Sequence, residues 1–163
     1  MSFAAVMAGA LVGTTVLTTS LRLAQELGWT RMDIPFLLGT AVTGHRSRAT
    51  VIGYVLHFTN GVIFGVGYWF VFRAVGHAGI LLGAGLGLVH ALFAGGALVN
   101  VLLPSVHPRM GSPWSDAEET PLLEAPGFML LNYGRHTVLL TAVAHVLYGA
   151  IIGWFGAGLG LGF

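Results

Sequence analysis

Four long stretches of the chain carry no charged residue, and they dominate its pattern of hydrophobic and polar positions. These stretches are Met1–Leu21, Ala49–Phe72, Ala74–Pro108 and His136–Phe163. A helix needs about 20 predominantly apolar residues to cross the hydrocarbon core of a membrane, and each stretch is long enough. They predict four membrane-spanning helices, at roughly Phe3–Leu23, Thr50–Val75, Gly79–Leu103 and Thr137–Gly160.

The two long segments between these spans each contain a helix-start signal. Asp33-Ile34-Pro35 precedes the apolar Phe36–Gly39, and Glu124-Ala125-Pro126 precedes Gly127–Leu131. An acid at the N-cap with proline in the first turn is typical of a helix start. Neither apolar stretch is long enough to span. We therefore expect an all-α fold: an integral membrane four-helix bundle with two short interfacial or re-entrant helices, forming one transmembrane domain over residues 1–163.

The arginines predict the orientation of the bundle. The two long segments between spans hold six of them, whereas the short turn between spans two and three holds Arg73 alone. Loops that stay in the cytoplasm carry an excess of Lys and Arg. Both long segments are therefore expected on the cytoplasmic side and both termini outside, as in a protein of a bacterial inner (cytoplasmic) membrane.

The composition agrees with a membrane location and narrows the function. Hydrophobic residues make up 55% of the chain and charged residues 8%, whereas soluble domains carry roughly 25% charged residues. The lipid bilayer is thus the expected partner. A formal net charge of +1 provides no basic field for nucleic acid. The absence of cysteine excludes disulfides, thiolate metal ligands and cysteine nucleophiles.

Glycine is abundant, with 25 residues, and it recurs at four-residue spacing in every span. The pairs are Gly9/Gly13, Gly61/Gly65, Gly83/Gly87, Gly149/Gly153 and Gly156/Gly160. Small residues at this spacing let helix backbones approach closely in lipid. The pairs predict either tight packing within one bundle or outward-facing contacts that make a homo-oligomer or a larger membrane complex.

Three of the seven histidines lie well inside predicted spans: His57, His90 and His145. With a rise of about 1.5 Å per residue, they fall in one broad layer on the cytoplasmic side of the midplane. Polar side chains at membrane depth usually face the bundle interior and mark function, and imidazole is the commonest metal ligand. The pattern predicts a cofactor bound by these three residues, either a Zn, Cu or Fe ion or a haem clamped by two imidazoles.

Three further residues are candidates for the same site. Asn60 and Tyr148 each lie about one helical turn from a histidine, where they would orient the imidazole ligands. Asp33 is accounted for as a helix N-cap, but it would become an additional metal ligand if the short helix after it re-enters the membrane. In the third span, helical phase predicts an inward face of Gly83, Gly87, His90, Ala94 and Ala97.

Several functions remain open at this stage. Binding of a metal ion or haem is the first, and a haem would point to a redox or electron-transfer role. The histidines could also form hydrogen bonds between helices, or line a substrate or proton pathway. The alternatives are therefore a small-solute or ion transporter or channel subunit, and a structural subunit of a membrane complex. No phosphate loop, nucleophile elbow or paired-carboxylate motif decides whether the protein is an enzyme.

Four segments carry a resemblance to a known group of proteins. They are Leu56-His57-Phe58-Thr59-Asn60-Gly61, His107-Pro108-Arg109-Met110, Pro126-Gly127-Phe128-Met129-Leu130-Leu131-Asn132 and Ala144-His145-Val146-Leu147-Tyr148-Gly149. Together they resemble a family of small four-span bacterial integral membrane proteins of unknown function. The likeness runs from about Asp33 to Gly153. It implies a four-helix membrane fold and no particular activity.

Overall fold

The computed structural model describes residues 1–110 and 123–158, which are helical with short connections. The elements are α1 (Phe3–Glu26), α2 (Ile34–Thr40), α3 (Arg46–Val75), α4 (Ile80–Leu92), a π-helix (Phe93–Leu102), α5 (Leu103–Val106), a 3-10 helix (Phe128–Tyr133) and α6 (Thr137–Gly156). α4, the π-helix and α5 form one continuous helix, Ile80–Val106. We call it the third long helix. The prediction of four helices long and apolar enough to cross a membrane is confirmed, with bounds within a few residues of those expected.

Of the two predicted short helices, the first is regular and the second is interrupted. The Asp33 carboxylate accepts a hydrogen bond from the Phe36 amide at 3.0 Å and caps α2 as expected. The second segment forms a 3-10 helix in which Met129 (φ 50°) and Leu130 (φ 66°) adopt left-handed backbone angles. Asn132 closes this turn, because its backbone N–H donates to the carbonyl of Pro126 at 3.1 Å.

Glycines make the closest contacts between α4 and α6. Gly83 and Gly87 lie against the α6 backbone, where a Cβ atom at either position would collide with the carbonyl oxygen of Gly149 or His145. Gly153 is equally close to the backbone at the start of α4. In a membrane, where no hydrophobic effect drives helices together, such close approach would let van der Waals contacts hold them.

The first long helix packs between α6 and α3 through the same device. Gly13 of α1 fits against Tyr148 of α6, and Gly61 of α3 fits against Thr14 of α1. Four of the five predicted glycine pairs are therefore used inside the bundle, and the fifth includes Gly160, which lies outside the described residues. Tight packing within one chain accounts for these pairs, so they no longer support a homo-oligomer, which stays a prediction.

One side of the bundle is open. Around the bundle the order is α3, α1, α6 and the third long helix. Close packing joins α3 to α1, α1 to α6, and α6 to the third long helix. By contrast, α3 and the third long helix, both fully described, do not pack closely along their lengths. The ring of Phe64 bridges the gap by reaching His90, with centroids 3.9 Å apart. We call this gap the open seam.

A buried histidine fixes α2 at the end of the bundle that carries α5, which we call the loop end. His107 is 5% exposed and its Nδ1 accepts from the Arg109 amide at 3.1 Å. Nε2 must therefore carry the proton, and it donates to the carbonyl of Leu37 at 3.0 Å. The Arg109 guanidinium also donates to the Thr40 carbonyl at 2.6 Å, so both side chains tie the chain after α5 to α2.

Replacement of His107 by alanine is expected to lower the stability of the fold by about 1–3 kcal/mol, because it removes a buried hydrogen bond to the Leu37 carbonyl and leaves the Arg109 amide without its acceptor. Thermal unfolding in mild detergent measures the change. His45→Ala is the matched control, since the His45 side chain is exposed and makes no cap hydrogen bond at the start of α3. Equal unfolding temperatures for the two variants would show that the tie to α2 is dispensable.

Polar contacts hold the 3-10 segment against the chain between α1 and α2. Arg31 donates to the carboxylate of Glu124 at 3.1 Å and to the carbonyl of Asn132 at 2.5 Å. The Tyr133 hydroxyl donates to the Glu124 carbonyl at 3.0 Å. Burial, with the Glu124 carboxylate adding to it, raises the pKa of Tyr133 to about 12, so this hydroxyl keeps its proton at neutral pH.

Candidate functional site

A cavity of about 400 Å³ lies inside the bundle, between α1, α3, α6 and the third long helix. It occupies the loop-end half of the bundle and ends at Phe64 and Tyr148. Beyond these residues, Tyr68, Phe72 and Ile152 pack into a buried core. Most of the wall is aliphatic, and within the described residues no Asp, Glu, Lys or Arg side chain lines it.

The three histidines predicted from the sequence all line this cavity. His57 comes from α3, His90 from α4 and His145 from α6. The rings of His90 and His145 are 4.8 Å apart between centroids and nearly perpendicular, at 81°. Three helices therefore bring their imidazoles to one cavity, whose other polar side chains are Thr14, Asn60, Ser105, Thr141 and Tyr148.

The hydrogen bonds of the imidazoles are incomplete. Nδ1 of His145 lies 2.8 Å from the carbonyl of Thr141, to which it donates, so Nε2 is left as the acceptor. Nε2 of His57 and Nδ1 of His90 are buried and have no hydrogen-bond partner in the described structure. A buried polar atom without a partner costs about 1–3 kcal/mol, and both nitrogens are enclosed by protein rather than exposed to the cavity.

The two predicted orienting residues line the cavity but act differently from what was expected. The Tyr148 hydroxyl donates to the carbonyl of Gly61 at 2.5 Å, which ties α6 to α3. Its single proton is thus used on the backbone and does not hold an imidazole. Orientation of His145 comes from the Thr141 carbonyl one turn earlier. Asn60 forms part of the α3 wall.

Asp33 is not among the residues of this cavity. It lines a separate space of about 20 Å³ near the end of α1, together with Arg22, Tyr54 and His57. A space of that size holds about one water molecule. Asp33 caps α2 and lies 3.7 Å from the Arg22 guanidinium, so its carboxylate already has partners. Four residues border both spaces: Leu21, Met32, Ile34 and His57.

The arrangement does not form a ready metal site. Across residues 1–110 and 123–158, no three His, Cys, Asp or Glu side chains are grouped so that they could hold a metal ion. The closest approach to such a site is the pair of His90 and His145. A metal at this pair would need further ligands from outside the imidazole set, because Zn sites normally take four ligands.

The π-helix, which the sequence pattern did not predict, forms a large part of the cavity wall. Ala94, Leu98, Val99 and Leu102 from this stretch all line the cavity. π-Helical segments are rare in proteins. Those that do occur are frequently found at functional sites. The glycine pair Gly95-Gly96 is the one local signal in the sequence, since glycine lowers helix propensity within an otherwise apolar helix.

Comparison with known proteins adds no assignment. No family model, no curated protein and no solved structure matches the chain. The resemblance to small four-span bacterial membrane proteins therefore stays a prediction. The function has to be argued from the cavity and its three imidazoles.

Proposed function

We propose that this is an integral membrane protein that binds a neutral, mainly apolar organic molecule in the cavity, with the polar end of the molecule at the three imidazoles. One observation carries the proposal: the imidazoles of His57, His90 and His145 meet at a mainly apolar cavity, and the described residues leave Nε2 of His145 without a hydrogen-bond partner. A ligand with a polar end at this cavity supplies the missing hydrogen bond.

The chemistry of the wall supports a neutral ligand. No Asp, Glu, Lys or Arg side chain among the described residues lines the cavity, so a charged molecule would be buried without a permanently charged partner. Its volume of about 400 Å³ falls within the usual range of roughly 300–1,000 Å³ for small-molecule sites. Such sites are mostly apolar with a few polar groups that fix orientation, which describes this wall.

A metal ion or haem is the second candidate. It is favoured by the 4.8 Å separation of the His90 and His145 rings and by the hydrogen bond from His145 to Thr141. A carbonyl that takes the proton of one ring nitrogen leaves the other nitrogen ready to coordinate a metal. Zn, Cu or Fe bound there would take its remaining ligands from water or from a small molecule.

The composition of the purified protein separates the two candidates. We expect protein extracted in mild detergent to retain close to one equivalent of a neutral organic molecule, identified by mass spectrometry of a solvent extract. Metal analysis and the visible spectrum of the same sample report a bound ion or a haem. A sample that holds stoichiometric metal or haem and no organic molecule would overturn the first proposal in favour of the second.

The matched variants test whether the molecule lies in the cavity. Ala94 is buried in the cavity wall, so Ala94→Trp is expected to fill the space and abolish retention. Leu88 lies on the same helix, is 47% exposed and lies outside the cavity, so Leu88→Trp is the control. Equal retention by both variants would place the molecule elsewhere, provided that both unfold at the temperature of the wild type.

A further inference from the structure

The cavity has a mouth on the side of the bundle. Leu98, Leu102 and Val106 of the third long helix line the cavity beside the open seam. Leu102 is 50% exposed and Val106 is 76% exposed, although both contribute to the cavity wall. The interior is therefore continuous with the outside of the bundle at these two side chains, which we call the mouth.

The surface around the mouth is apolar. On the third long helix Val101 is 62% exposed, and on α3 Val55 and Ile63 are 62% and 59% exposed. Both helices are long and apolar enough to cross a membrane. In a membrane, a mouth on this surface would face hydrocarbon, so a molecule dissolved in the bilayer would have direct access to it.

We infer that the ligand is a neutral single-chain amphiphile with a hydroxyl head group, which enters laterally from the bilayer through the mouth. The inference rests on the proposed function, and it adds the class of ligand and its route. The head group lies against the imidazoles, and the chain follows the aliphatic wall toward Leu102 and Val106. This order matches the cavity, whose imidazoles lie at the inner end and whose mouth is formed by Leu102 and Val106, with the hydroxyl of Ser105 bonded to the Leu102 carbonyl.

A hydroxyl group fits the hydrogen-bonding capacity of the imidazoles. Nε2 of His145 is an acceptor, because Nδ1 donates its proton to Thr141. An O–H group donates to that nitrogen and can accept from a neighbouring ring, since it has one donor and two lone pairs. The rings of His57 and His90 line the same cavity and lie beside this position. A head group that only accepts hydrogen bonds would leave His145 unpaired.

Photolabelling with 4-dodecylphenol that bears a diazirine next to the ring tests the route. The protein is reconstituted in phosphatidylcholine vesicles, and labelled peptides are followed with time after the probe is added. Leu102→Trp narrows the mouth and is expected to slow labelling of α6 about tenfold, which corresponds to about 1.4 kcal/mol in the barrier. Leu92→Trp, at an equally exposed leucine outside the cavity, is expected to leave the rate unchanged.

Chain length separates entry from lipid and entry from water. At equal mole fraction in the bilayer, an octylphenol probe has an aqueous concentration about 200-fold above that of the dodecylphenol probe, since it lacks four methylenes. Entry from the bilayer gives nearly equal labelling rates for the two probes. A rate that rises with aqueous concentration, or equal rates for Leu102→Trp and Leu92→Trp, would overturn lateral entry while leaving the binding site itself in place.

Two other outcomes have separate meanings. Absence of cavity labelling in the wild type would overturn the proposed function together with the route. A second copy of the chain could instead cover the mouth, and Val106→Cys tests this directly because the chain has no other cysteine. Efficient disulfide formation between Val106→Cys copies in the membrane would show a covered mouth and overturn lateral entry. Free thiols that react with a lipid-phase maleimide support it.

Discussion

Gly83→Ala is expected to destabilise the folded bundle by about 3 kcal/mol, at the upper end of the usual cost of overpacking. A Cβ atom at this position would collide with the carbonyl oxygen of Gly149 and approach the Cα atom of Gly153. Both obstacles are backbone atoms, so no side-chain rotation relieves the clash and α4 must move away from α6. Unfolding in mixed micelles with increasing denaturing detergent measures the loss.

The control lies two residues further along the same helix. A Cβ atom at Gly85 would meet no heavy atom within 4 Å. Gly85→Ala is therefore expected to be neutral or to stabilise by up to about 1 kcal/mol, because alanine has a higher helix propensity than glycine. If Gly83→Ala and Gly85→Ala have the same stability, the close packing of α4 on α6 does not hold the bundle together.

His145→Ala is expected to weaken binding of 4-dodecylphenol by about 5- to 150-fold, equivalent to 1–3 kcal/mol. The substitution removes the acceptor Nε2 and leaves the buried hydroxyl of the ligand without a partner. Competition between unlabelled dodecylphenol and its photoreactive analogue in vesicles gives the affinity. The position of the mouth is unchanged in this variant, so the loss appears in the affinity and not in the chain-length dependence of entry.

His77 supplies the comparison for this measurement. It lies exposed in the turn between α3 and α4, at the opposite end of the bundle from the cavity. His77→Ala is expected to bind the phenol as the wild type does. An unchanged affinity in His145→Ala, measured on protein whose unfolding matches the wild type, would remove this imidazole from the binding site.

The long helices and the start of α2 were predictable because their signals are local. Uncharged stretches of more than 20 residues leave few alternatives to a membrane-spanning helix. The Asp33-Ile34-Pro35 signal needs only the hydrogen bond from Phe36 that the structure contains. The glycine pairs predicted that helices approach closely, but their partners depend on the order of helices around the bundle, which spacing does not encode.

The wall of the cavity was harder to predict because the third long helix changes its winding. A constant period of 3.6 residues places Ala94 and Ala97 on the face of His90. In the π-helical stretch the phase shifts, and Leu98 and Leu102 line the cavity in place of Ala97. The tie made by His107 also depends on contacts across some 70 residues, so no local pattern announces it.

The closed half of the bundle bears on the transporter alternative. A carrier or channel needs a route to both faces, and the described residues beyond Phe64 and Tyr148 provide none in this conformation. Transport would therefore need a second arrangement in which the core around Tyr68 and Phe72 opens. A site that binds and releases its ligand through the mouth alone does not require this core to open.

The open seam makes the bundle mechanically uneven. The turn Gly76–Gly79 joins α3 to the third long helix at one end, and at the loop end these two helices have no direct covalent link. A helix of 27 residues is about 40 Å long, so a tilt of roughly 5° at the turn moves its far end by about 3.5 Å. That is a large fraction of the 8–10 Å that separates the axes of packed helices. The thickness and lateral pressure of a bilayer act on helix tilt, so in a membrane they would change the width of the seam.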